Sequence, residues 1–334
     1  MNTTLSSTSH FISTTAPDGP TSNEDQTHVD ETRREPAAVR RALVLHGGGS
    51  AGNAWEIGVI AGLFDAGVDV RESDLIIGTS AGATVAAQIT SAIEPTELLA
   101  NILTVAPQLQ TGPMGSGRGR VPLAPSTDYM ERSSAIIAAA TSPADMRRRM
   151  GAAALEMGAS SDGSGQVQWR ETVAARLPSH HWPERTVLIT AVDARTGEPV
   201  VFDRDSGVEL VDAVAASCAN GFGVPPYRIG DNHYIDGGYR RNENADLAAG
   251  YERVLVLSPF GGRTRHPLDW GMQLAAQVDE LRAGGSSVET IFPDSKSLNA
   301  FGVNMMDQST RPPSARAGYD QGRALVQQLS AFWR

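Results

Sequence analysis

The chain has 334 residues, 40% of them hydrophobic but only 6% aromatic, and a formal net charge of -10. That length allows one large or two modest domains, and the acidic balance argues against a nucleic-acid partner, which needs a basic face. The single cysteine, Cys218, excludes an internal disulfide, and no apolar run reaches the ~18 residues that cross a bilayer.

Residues 1–38 are rich in Ser, Thr, Asp and Glu without an apolar period, which predicts a disordered tail. They lack the basic and apolar segments of a secretory signal, so a cytoplasmic location is expected. Residues 42–45 are a short apolar run that reads as a strand, followed by Gly47-Gly48-Gly49-Ser50-Ala51-Gly52. Trp55, Ile57, Val59, Ile60, Leu63 and Phe64 are spaced for a largely buried helix. Residues 75–77 read as the next strand. They lead into Gly78-Thr79-Ser80-Ala81-Gly82 and a helix over 81–92 built from small residues.

This order is a βαβα unit, which implies parallel strands and a right-handed crossover. Sites in such sheets lie beyond the carboxyl ends of the strands, where Gly49 and Ser80 both fall. The character changes over 105–170, with a glycine-rich loop at 111–120, helical patterning over 128–158 and a flexible stretch at 160–165. This segment reads as a cap inserted over the site. Strands resume at 186–192 and 199–202, a helix follows near 209–219, and Tyr234-Ile235 leads into Asp236-Gly237-Gly238. Residues 253–257 are a further buried strand, and helices are expected over 267–283, 295–304 and 313–332. The fold class is α/β, a three-layer α/β/α arrangement around a central, mainly parallel sheet.

The three glycine-bearing stretches supply the parts of an acyl-transfer site. A serine hydroxyl attacks poorly until a base takes its proton. In G-x-S-x-G, Ser80 sits on a tight strand-to-helix turn that thrusts Oγ forward. Gly47, Gly48 and Gly49 at a helix start can aim backbone N–H groups at an oxyanion. Asp236 is a weak base at its ordinary pKa, but burial and a direct bond to Ser80 would suit it to the task. Each stretch alone also reads as an ordinary loop or turn; their combination favours chemistry. No Lys-Ser/Thr pair follows the first stretch, so a Walker A loop is unsupported. Gly47, Gly49 and Gly52 match a dinucleotide fingerprint formally, but no acidic residue closes the next strand.

The three stretches, in that order, resemble the patatin-like phospholipase family, which carries a glycine-rich oxyanion loop, G-x-S-x-G and a late D-G-G or D-G-A. The resemblance extends over 41–260, including 217–226 and Arg241-Asn242-Glu243-Asn244-Ala245. It implies a patatin-like domain over 39–334 with a variable cap at 105–170. It also implies a Ser80–Asp236 dyad, an oxyanion hole from Gly47, Gly48 and Gly49, and hydrolysis of a lipid or other acyl ester without metal or cofactor. Ala51 stands where the family loop has Arg or Lys, which puts a phospholipid preference in doubt more than esterase chemistry.

Two other readings stay open. A Ser-Asp-His triad would enlist His266, with His46-Gly47-Gly48-Gly49 mimicking the lipase oxyanion motif. A non-catalytic acyl-lipid binder would keep the site without turnover. Arg118, Arg120 and 147–149 could attract an anionic membrane surface or simply form a solvated helix face. Cys218 reads as a small buried hydrophobe. Headgroup, chain length and oligomeric state are not encoded in these motifs.

Overall fold

In the computed structural model the described residues are 39–104, 126–159, 163–221 and 223–333, with backbone alone for 126–129. The expected tail at 1–38, the loop at 111–120 with Arg118 and Arg120, and residues 160–162 lie outside them.

Among the described residues eight strands form one sheet: β1 Arg41–Leu45, β2 Leu75–Gly78, β3 Thr186–Asp193, β4 Pro199–Phe202, β5 Tyr227–Ile229, β6 Asn232–Asp236, β7 Arg253–Leu257 and β8 Ser287–Ile291. Their order is β5-β6-β3-β2-β1-β7-β8, with β4 paired to β3. The β1–β2, β1–β7, β2–β3 and β7–β8 pairings are parallel; β3–β4, β3–β6 and β5–β6 are antiparallel. The mainly parallel α/β sheet is therefore present.

Ten helices accompany the sheet among the described residues: α1 Gly49–Asp65, α2 Ala81–Ile89, α3 Pro95–Thr104, α4 Ser126–Ala139, α5 Pro143–Gly158, α6 Ser164–Ala174, α7 Leu210–Ser217, α8 Leu274–Ala283, α9 Ser295–Phe301 and α10 Arg311–Trp333. β1 shows how the layers arise. Leu43 and Leu45 face a cluster with α1, α2, α7 and α10, while Ala42 and Val44 face α8 and the turn at Ala245–Ala248. Both faces of a parallel sheet must be covered, so its strands are apolar throughout rather than alternating. No helix among the described residues is long and apolar enough to cross a membrane.

Several boundaries correct the sequence reading. The helix expected over 128–158 is two helices: Ser142 accepts from the Asp145 N–H at 3.2 Å and Pro143 opens α5, a restart with cap and proline in place. The helix expected over 81–92 stops at Ile89, and that over 267–283 begins at Leu274 after a 3-10 turn at Leu268–Trp270. The helix expected over 295–304 ends at Phe301, where Gly302 takes a positive φ. Helices α3 and α6 and strands β5 and β8 were not anticipated, and α6 begins at Ser164, within the stretch expected to be flexible.

The register of β3 sets the site. β2 pairs with its first half, ending at Gly78↔Ile189, and β6 pairs with its second half, ending at Asp236↔Ala191. Because β4 holds the opposite edge at 189–192, β2 and β6 share one edge and run toward each other. Their ends stop two β3 residues apart, roughly 7 Å. Helices α4 and α5 pack beyond this point, with Met146, Met150 and Ala154 against Val192 and Ile235.

Candidate active site

Ser80 leaves β2 through Thr79 and caps α2 at φ 53° and ψ -120°. That conformation costs a non-glycine residue ~1–3 kcal/mol and persists only where its surroundings impose it. The flanking glycines are forced by space. A Cβ on Gly78 would lie 2.6 Å from Ala83 Cα, and one on Gly82 would lie 2.2 Å from the Leu45 carbonyl oxygen. The turn is held from two sides: Ser80 N–H donates to Ser217 Oγ at 2.9 Å, and Cys218 Sγ donates to the Ser80 carbonyl at 3.1 Å. Burial pushes the Cys218 thiol up to about 12, so it packs and donates rather than reacts.

Asp236 ends β6 and accepts the Gly238 N–H at 2.8 Å. Gly237 passes β3 so closely that a Cβ would lie 2.1 Å from Thr190 Oγ1. The Ser80 side chain lies close enough to the Asp236 carboxyl to favour its ionised form. Part of the residue opens to the site while its carboxyl is packed in by protein. That burial raises its pKa to about 6, against the opposing pull of the Ser80 side chain and the Gly238 N–H.

Asn244 joins these two turns. It is fully buried, at φ 58°, and its Nδ2 donates to Thr79 Oγ1 at 2.9 Å and to the Gly237 carbonyl at 3.1 Å. Thr79 Oγ1 in turn lies 2.9 Å from Thr190 Oγ1. One side chain thus ties the end of β2 to the turn after β6. Asn244 lay within a segment that the family resemblance covers, but its part in the site was missed, as was that of Ser217. A polar residue that the surrounding apolar pattern would bury is the available signal.

The glycine loop completes the cluster. A Cβ on Gly47 would lie 3.1 Å from Ser80 Cβ and 3.5 Å from its Oγ. Gly48 caps α1 without a side chain, and Gly49 adopts φ 59°. Further along, the Ala51 N–H is taken by the Met305 carbonyl at 2.9 Å and the Gly52 N–H by Gly48. The N–H groups of Gly47, Gly48 and Gly49 have no acceptor among the described residues. Both α1 and α2 begin here, so their positive ends favour negative charge at this spot.

Neither His46 nor His266 hydrogen-bonds to Ser80 or Asp236 among the described residues. His46 is buried edge-on to Phe260 and pushed down to about 3 by desolvation, so it is neutral. His266 stacks on Trp270, pairs with Asn242 Oδ1 at 3.2 Å and Thr264 Oγ1 at 3.3 Å, and is pushed down to about 4 by burial. Arg147 donates to the Gly197 carbonyl at 2.7 Å and is half-buried, whereas Arg148 and Arg149 pair with Asp145 on an exposed helix face.

The sequence profile of the patatin-like phospholipase family matches residues 43–249. Among curated proteins none matches the chain. Among solved structures, VipD from Legionella pneumophila is similar at 13% identity and a TM-score of 0.42, over 86% of this chain and 67% of that one. The type III effector protein ExoU is similar at 15% identity and a TM-score of 0.39, over 88% of this chain and 53% of that one.

Proposed function

Because this chain belongs to the patatin-like phospholipase family, we propose that it is a serine lipid acyl hydrolase in which Ser80 and Asp236 form the catalytic dyad. Asp236 accepts the Ser80 proton as Oγ attacks the ester carbonyl. The N–H groups of Gly47, Gly48 and Gly49 receive the oxyanion, each such donor being typically worth ~3–4 kcal/mol. Collapse of the tetrahedral intermediate expels the alcohol, which takes the proton back from Asp236. Water, deprotonated by the same carboxylate, then attacks the acyl-enzyme and frees the acid. A base near pKa 6 is ionised at neutral pH yet stronger than an ordinary aspartate, and general-base assistance contributes ~10²–10⁴-fold. In this reading the 105–170 segment is the cap over the acyl-binding site, and contact with a lipid surface is peripheral.

The observation that carries the reading is the convergence of Ser80, on its strained turn, with the buried Asp236 carboxyl, whose titration Ser80 affects, beside a glycine loop with free donors. The test is hydrolysis of p-nitrophenyl esters of graded chain length. Wild type should turn over, Ser80→Ala and Asp236→Asn should each lose at least ~10³-fold, and His266→Ala should keep most of the activity. Silence of the wild type across the series, or an active Asp236→Asn enzyme, would defeat the dyad.

A further inference from the structure

Arg311 opens α10 ahead of Pro312 and Pro313 and reaches back to the first turn of α1. Its Nη1 donates to the Ser50 carbonyl at 3.3 Å and to Asn53 Oδ1 at 2.9 Å. No carboxylate pairs with it among the described residues. Its Nε and Nη2 have no partner among them either, and neither atom is sealed from solvent. The surroundings work against a cation: α1 presents its positive end, the side chain is largely desolvated, and its charged neighbour is a second cation, Arg176. Ala51, in the loop itself, is fully buried and brings no charge. A half-satisfied guanidinium held against repulsion needs an anion to balance it, and its free edge suits the paired oxygens of a phosphate or carboxylate.

The position also fits the proposed chemistry. Asn53 Nδ2 donates to Gln88 Oε1 at 3.2 Å, and Gln88 Nε2 donates to the Arg176 carbonyl at 3.0 Å. Ser80, Thr84 and Gln88 recur every fourth residue and so share one face of α2. A row of polar side chains therefore runs about 12 Å along α2 from Ser80 to Gln88, which connects through Asn53 to Arg311 and bonds the backbone carbonyl of Arg176.

We propose that Arg311, seconded by Arg176, recognises an anionic group of the ester substrate, set off along α2 from the scissile carbonyl. This rests on the hydrolase reading for its purpose, so the test separates the two. In the Ser80→Ala protein, dodecyl phosphate, dodecyl maltoside and inorganic phosphate are titrated calorimetrically below their micelle concentrations. Dodecyl phosphate should bind, Arg311→Gln should weaken it at least about tenfold, and Arg311→Lys should recover part of the loss. The maltoside should bind both proteins alike, and inorganic phosphate far more weakly than its dodecyl ester.

Equal dodecyl phosphate affinity in Ser80→Ala and its Arg311→Gln derivative, both folded by thermal unfolding, would overturn the proposal. Inorganic phosphate binding as tightly as the amphiphile would also overturn it, marking a free-anion site. Should Arg311→Gln fail to fold, Arg176→Gln decides: about threefold weakening supports the proposal and unchanged affinity removes it. Loss of the hydrolase reading is seen separately, in wild-type turnover of neutral esters.

Discussion

Gly47 and Gly82 lack a side chain for different reasons, and the difference is measurable. A Cβ on Gly82 would meet the backbone of Leu45 at 2.2 Å, which cannot yield without moving β1. A Cβ on Gly47 would meet Ser80 at 3.1 Å, where a small displacement relieves the contact but misplaces Oγ. Gly82→Ala should therefore fail to accumulate as folded protein. Gly47→Ala should fold, with kcat/KM on a p-nitrophenyl ester down by roughly 10–100-fold, as small misplacements of reacting groups cost. Asp236 fixes the pH response. With Asp236 as the proposed base the ionised carboxylate is the acting form, so kcat/KM should fall tenfold per unit below about pH 6 and level off above it. A midpoint near pH 4 would show that burial does not govern this group. The glycines, Ser80 and Asp236 were legible because their constraints are local to short motifs. Ser217 and Asn244 reach Ser80 and Thr79 across 137 and 165 residues of chain, and no local pattern records that.

Among the elements, α1 and α10 meet through glycine. A Cβ on Gly58 would lie 2.2 Å from the Ala315 carbonyl, one on Gly62 2.3 Å from that of Tyr319, one on Gly318 2.4 Å from that of Trp55, and one on Gly322 2.3 Å from that of Val59. Each helix thus offers two glycines four residues apart to the backbone of the other. Gly58→Ala or Gly318→Ala should destabilise the protein by ~1–3 kcal/mol or more in urea unfolding, as overpacking does. The double variant should cost less than the sum, because the first methyl already parts the helices. Both helices were legible from their apolar spacing, but their partnership was not, since glycine inside a helix lowers its propensity without naming a neighbour. Strand β5 spans three residues and β8 alternates polar with apolar, so neither gave the continuous apolar run that marked β1, β2 and β7.

Over the whole molecule, buried groups shifted in opposite directions set the response to acid. Burial raises Glu56, Asp236 and Glu243, the last two to about 6 and about 7. It lowers His46, His266 and His233, the first two to about 3 and about 4. A raised carboxyl contributes stability that is present at low pH and lost as pH rises through its folded pKa. A lowered histidine contributes stability present above its ordinary 6.5 and lost as pH falls toward its folded pKa. Between about pH 4.5 and 6.5 the two sets oppose, so urea midpoints should change little. Below about pH 4 the carboxyls are largely protonated in both states while the histidines still lose. Asp145, Glu280 and Asp307, held below their ordinary values by hydrogen bonds, lose with them. Stability should drop steeply there, and a steady decline beginning at pH 6.5 would contradict the balance.

The pairing of α1 with α10 also sets a schedule. Ser50 and Arg311 are separated by 261 residues of chain, which a ribosome takes roughly 13–50 s to add. Throughout that interval the glycine loop, Ser80 and then Asp236 can emerge and meet, while the notch in α1 stands empty and no guanidinium guards its first turn. A nascent chain halted before residue 311 should remain inactive, and one extended past Trp333 should gain activity in a single late step. Synthesis itself would then delay the proposed activity until the polypeptide has left the decoding centre far behind.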